Sequence, residues 1–276
     1  MGYKLTGAYI GTQQVRPHEI VDYLCFTAEQ ANSVVTLYKN FSPAVVSLET
    51  STDGQTWTDY SIGTDITLTN IWDKVYRRNK STTPTEFSKK DNNYYYFSLS
   101  WKIAASWDIT TLLCKKWTDT LTGASHTFYK LFYWRSSLTT PPELPATTLT
   151  DYCYNQMFED CTGLTTAPHL PATSLPKYCY SEMFYWCSNL VQLPYIIGTT
   201  MGEMACAYMF YYCSKIKVAT SSSSTYTQAY RIPKEWTWTD ASQNATNYMF
   251  RYTWGSFTGS PTINTTLYAH KDMVLV

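Results

Sequence analysis

The chain has 276 residues, 21 Lys+Arg against 21 Asp+Glu, and only 15% charged residues, so nothing in its charge would draw it to a nucleic acid or an anionic membrane. Aromatic residues reach 17%, with 25 tyrosines; Tyr and Thr favour strands, and Tyr offers a large contact area at low side-chain entropy. No apolar run reaches the roughly 18 residues of a membrane span, and Met1–Val15 has no charged segment leading into an apolar one, so neither a membrane span nor a secretory leader is expected.

From Asp22 to about Ile103, short runs with partial alternation are separated by turn signals such as Ser51–Gly54 and Asp91–Asn93. In chain order they read YLCFTA, SVVTLYK, AVVSLETS, TWTDYS, DITLT, KVYRR and YYYFSLSWKI. About seven short strands at this spacing predict a compact antiparallel sandwich or barrel, assigned to residues 1–105.

A different period governs residues 106–276. Phe132, Phe158, Phe184 and Phe210 are 26 residues apart, preceded by Leu131, Met157, Met183 and Met209 and followed three residues on by Arg135, Cys161, Cys187 and Cys213. Leu138, Leu164, Leu190 and Ile216 keep the period, as do Pro142, Pro168 and Pro194. Tyr248-Met249-Phe250 is a further copy, displaced by a Ser/Thr-rich insertion near 219–230. Within one unit, LTTAP predicts a short strand closed by proline, which has no ladder donor. Leu175, Cys179, Met183 and Phe184 fall at helical spacing, predicting a short helix with Ser174 as a cap, and Thr148 or Thr150 in the preceding unit. Such a unit cannot bury its apolar side alone, but stacked copies share a core. The expected fold is mainly β with short helices: an N-terminal antiparallel β-sandwich followed by a leucine-rich-repeat solenoid, whose unit length lies in the 20–29 residue range.

The string MFxxC-x2-L-x3-P-x-LPATxL resembles the BspA-like leucine-rich repeats of gut Bacteroidetes and the phages that infect them, over roughly Leu113 to the C-terminus. The order YLCFTA…VSLETSTDGQTWTDY…DITLTN…KVYRR is similar to a β module often fused ahead of such repeats. The resemblance implies an attachment or spacer role for that module and a surface- or virion-displayed role for the repeats, which adhere to proteins or glycans.

No phosphate loop, HExxH or GxSxG is present, and Glu159-Asp160 reads as a solvated acidic pair, so no catalytic residue is expected. Six of the eight cysteines recur with the unit, without C-x2–4-C pairs, and His18, His126, His169 and His270 are scattered; reduced core cysteine is expected, with no metal and no cofactor. Leu131, Phe132, Met157, Phe158, Cys161, Met183, Phe184, Cys187, Met209, Phe210 and Cys213 are the expected repeat core. Tyr152, Tyr154, Tyr178, Tyr180, Tyr208, Tyr211 and Tyr212 are the expected contact residues, some facing out and some in.

Ten tryptophans against eleven glycines is an unusual balance, since about 7% glycine would be about 19. Trp72, Trp107, Trp134 and Trp186 stand where a turn calls for glycine; in the BspA-like pattern the place of the last two is commonly Gly. Either these rings pack between units or cap the surface, or a reassigned codon has been read as Trp in place of Gly, in which case their turns should look crowded.

The expected role is a phage virion appendage, fibre or decoration protein. Its N-terminal module would meet other virion or surface proteins, and its repeats a host-surface protein or glycan. No nucleic acid or membrane is a partner, and homo-oligomerisation is left open. The alternative is a bacterial cell-surface adhesin.

Overall fold

The structure, a computed structural model, describes residues 22–89, 92–121, 123, 125–198, 200–234 and 244–276, together with two short backbone strands, β1 (Ala8–Ile10) and β2 (Gln13–Val15), which pair antiparallel. Most of Met1–Val15, and His18, lie outside the described residues. The chain is mainly β, and among the described residues its helical structure is one 3-10 turn, Ile109–Leu112, capped by Asp108, which accepts from the Thr110 N–H at 2.8 Å.

Every run expected to be a strand in the N-terminal module contains one: β3 (Leu24–Ala28), β4 (Ser33–Lys39), β5 (Leu48–Ser51), β6 (Thr58–Tyr60), β7 (Ile66–Leu68) and β8 (Lys74–Asn79). The last run is divided at residues 100–102 into β9 (Tyr95–Leu99) and β10 (Ile103–Ser106), which join different sheets. One sheet has the order β11-β10-β3-β8-β5-β6, with β11 at Leu138–Thr140; the other is β7-β4-β9. Their inward residues meet: the Phe26 ring of β3 lies 4.7 Å from Phe97 of β9, centroid to centroid. The boundary at residue 105 falls inside β10, which pairs antiparallel with β3 and parallel with β11, and one hydrophobic core runs from Leu24 to Met273.

The expected helices are absent. Residues 150–161 form consecutive overlapping β-turns, with N–H to C=O bonds from Cys153 to Thr150, Asn155 to Tyr152, Met157 to Tyr154, Glu159 to Gln156 and Cys161 to Phe158. Every second turn has a positive φ at its third residue, the mark of a type II turn: 57° at Tyr152, 56° at Gln156 and 54° at Asp160. The turns between them are centred on Cys153-Tyr154 and Met157-Phe158 and face the core, so buried pairs recur every four residues. Over ten residues this four-residue period is hard to tell from the 3.6 of a helix, which is why helices were expected. Ser174 lies in strand β12 (Ser174–Leu175), and Thr150 opens the first turn through its carbonyl.

The alternate N–H groups leave the unit altogether. Those of Tyr152, Tyr154, Gln156, Phe158 and Asp160 donate to the carbonyls of Lys177, Cys179, Ser181, Met183 and Tyr185 at 2.7–3.0 Å. The same pattern links 126–134 to 151–159, 178–186 to 203–211, and 206–212 to 245–251. Each turn ribbon thus satisfies its backbone donors within itself and in the next unit. Inside, Phe97, Phe132, Phe158, Phe184, Phe210 and Phe250 form one column at successive centroid distances of 5.3, 5.6, 5.6, 5.8 and 5.4 Å.

Between the ribbons the chain is largely irregular. The LTTAP stretch at 164–168 carries no strand, unlike its counterpart β11, while β13 (Gln192–Leu193), β14 (Thr200–Met201) and β15 (Val218–Ala219) are two-residue pieces. The insertion supplies β16 (Tyr226–Arg231), which pairs with β17 (Thr266–His270), and the terminal β18 (Val274–Leu275) runs parallel to β13.

Candidate binding face

The type II turns point outward, and their residues form columns along the stack. One column begins His126–Tyr152–Tyr178, with ring separations of 4.5 and 4.7 Å and interplanar angles of 4° and 6°. Tyr208 packs on Tyr248 at 5.2 Å, Tyr185 stacks on Tyr211 at 4.8 Å, and Tyr212 on Tyr252 at 4.5 Å. Because these rings cover one another's faces, the surface offers ring edges and hydroxyls more than open aromatic platforms.

Of the expected contact residues, Tyr152, Tyr178, Tyr208 and Tyr211 are half-buried on this face and Tyr212 is exposed. Tyr154 and Tyr180 are corrected to core: each is 1% exposed and they stack at 6.0 Å. They sit at the centre of inward-facing turns, two residues after an outward tyrosine. The eleven expected repeat-core residues are each fully buried. Tyr185, Tyr248 and Tyr252 complete the face and were not anticipated, while His126 heads its column as a buried ring under Tyr152; His126 and Tyr185 are one period before Tyr152 and Tyr211.

Among the tyrosine stacks lies an acidic cluster. Gln156 Nε2 donates to Glu182 Oε2 at 3.0 Å, and Glu159 and Asp160 stand in the adjoining columns. Burial, aided by the charge of Glu182 and opposed by Lys130, pushes the Glu159 carboxyl up to about 7; burial also raises Glu182 and Asp160. Among the described residues no His, Cys, Asp and Glu side chains gather as metal ligands would.

A second feature lies where the N-terminal module meets the first ribbon. Asn40, Tyr94, Tyr96, Tyr133 and Arg135 line a cleft of about 220 Å³. Arg135 stands in the repeat-cysteine column. Cys161, Cys187 and Cys213 each donate their thiol to the phenylalanine carbonyl of the preceding unit at 2.9–3.0 Å, and Arg135 Nε makes the same bond to Phe97 at 2.7 Å. The substitution keeps the structural bond and adds a guanidinium beside three tyrosines, 5.7 Å from the centre of the Tyr96 ring.

All eight cysteines are buried and unpaired, as free core thiols. Among the described residues, no helix is long and apolar enough to cross a membrane. No family model, curated protein or solved structure matches the chain.

Proposed function

We propose that this chain is a non-catalytic recognition protein carried on a phage virion, as an appendage, fibre or decoration. Its repeats, which we read as a BspA-like leucine-rich-repeat solenoid, meet a protein or glycan of the host surface. Its two contacting sheets, which we read as a β-sandwich, attach it to other virion proteins.

The observation that carries this reading is the outward face of the turn ribbons. Stacked tyrosines are held in register by backbone bonds on both sides, so little side-chain freedom is left to lose on binding. Edge-on rings and hydroxyls suit hydrogen bonding to a polar, weakly charged surface. The seam cleft around Arg135 adds a cationic fork suited to a carboxylate of the same ligand.

Two measurements test it. Mass spectrometry of purified virions should find the protein, and its absence there, with presence in a cell envelope, would replace the virion by a bacterial surface. Purified protein added before infection should lower phage adsorption, and Tyr152→Ala with Tyr178→Ala should abolish that competition without loss of folding. Competition undiminished in the double variant removes the ribbon face from the proposal.

A further inference from the structure

Backbone with positive φ is glycine's territory, because any Cβ crowds the neighbouring carbonyl there; Asn and Asp tolerate it best and bulky residues worst. Outside the turn ribbons, the described non-glycine residues with positive φ are Asn32, Phe41, Trp72, Trp101, Trp107 and Asn264. Three of these six are tryptophan. Counting Trp134 and Trp186 in the ribbons, five of the eight described tryptophans adopt φ between 60° and 75°.

At 72, 101 and 107 no ring contact accounts for the conformation, while in the ribbons Trp134 stacks on Tyr133 at 5.2 Å and Trp186 meets Tyr212 edge-on at 5.5 Å. All five are between 40% and 70% exposed. Trp72 is the third residue of a turn closed by the Asp73 N–H on the Asn70 carbonyl at 3.2 Å, the place where a type II turn takes glycine. Trp101 sits at the bend between β9 and β10, and Trp107 directly before the cap Asp108. Trp57 is the contrast: its φ is not positive, it meets Tyr23 edge-on at 4.7 Å, and the Arg78 guanidinium lies 3.8 Å from its ring centre. Trp57 packs on its neighbours, whereas Trp72, Trp101 and Trp107 occupy glycine geometry with no ring partner among the described residues.

We propose that positions 72, 101, 107, 134 and 186 are encoded by UGA and carry glycine in the organism that makes this protein, while Trp57 is encoded by UGG and is tryptophan. UGA is the codon that joins the two readings, since translation systems differ in taking it as stop, tryptophan or glycine. The chain's low count of 11 glycines has the same explanation. The proposal is independent of the function proposed above, but it alters the binding face: without the indoles at 134 and 186, Tyr133 and Tyr185 are uncovered.

The gene and the native protein decide it. TGA at all five codons with TGG at 57, and peptides from the natural source lighter at the five sites by the difference between the two residues, are expected. TGG at 72, 101 and 107, or tryptophan in those native peptides, overturns it. A recombinant chain with Trp72→Gly, Trp101→Gly and Trp107→Gly should melt several degrees above the chain with tryptophan there; an equal or lower melting temperature counts against the assignment.

Discussion

Burial pushes up the pKa of every cysteine thiol, Cys161 to about 12, so little reactive thiolate exists at neutral pH. A thiol-specific chromogenic reagent should therefore label none of the eight cysteines in the folded protein and all of them in denaturant. Glu159 gives a pH prediction. Its carboxyl is raised from 4.5 to about 7, so between those values the unfolded chain ionises while the folded one stays protonated. Stability from this group is full below pH 4.5, declines as pH rises to about 7 and then levels. Glu182 and Asp160 shift in the same direction, so Glu159→Gln should flatten, without abolishing, the fall in melting temperature across that window. The cysteine core was legible from the 26-residue period alone. Which tyrosines face outward was not, because Tyr152 and Tyr154 differ only by which half of a turn pair they occupy, and that follows from hydrogen bonding that composition does not reveal.

The turn ribbon is the element that departs most from expectation. Its type II turns hold non-glycine residues in left-handed backbone, a conformation that costs about 1–2 kcal/mol per residue in other settings. The bonds between units and the buried rings must offset that cost. Met204, at φ 55°, should therefore gain stability on Met204→Gly, whereas Gly202→Ala should lose it, since a Cβ at 202 would meet the Lys177 nitrogen at 2.8 Å; thermal melts of the two variants should move in opposite directions. Phe184 has a ring of the same column on either side, and Phe184→Ala should cost about 3–5 kcal/mol by denaturant titration. The strands of the N-terminal module were readable, because alternation over five residues, as in β9 with Tyr95, Phe97 and Leu99 inward, has no competing period. In the sequence the ribbons resemble helices because LxxxCxxxMF satisfies both a four-residue turn period and a helical stripe.

At the scale of the molecule, the stack is closed at both ends by the chain itself. The Phe97 N–H of the N-terminal module donates to the Leu131 carbonyl at 2.8 Å, and that of Ser88 to Thr127 at 3.3 Å, covering the first ribbon. At the far end the Phe250 N–H donates to the Gly259 carbonyl at 2.9 Å, and that of Tyr248 to Ser260 Oγ at 2.7 Å. Ending the chain at residue 258 should uncover the last ribbon and remove β17 and β18, giving a lower melting temperature and larger species on size exclusion. The need for end caps follows from the repeat; their identity does not, because neither cap belongs to the period. The bonds between ribbons also have one sense, N–H always toward the C-terminal end and C=O toward the N-terminal end. A bared donor end therefore matches only a bared acceptor end. Copies joined through these ends would add head to tail with no two-fold axis between them, and would grow as a filament instead of closing as a dimer. A head-to-tail polymer of that kind would have to displace both caps.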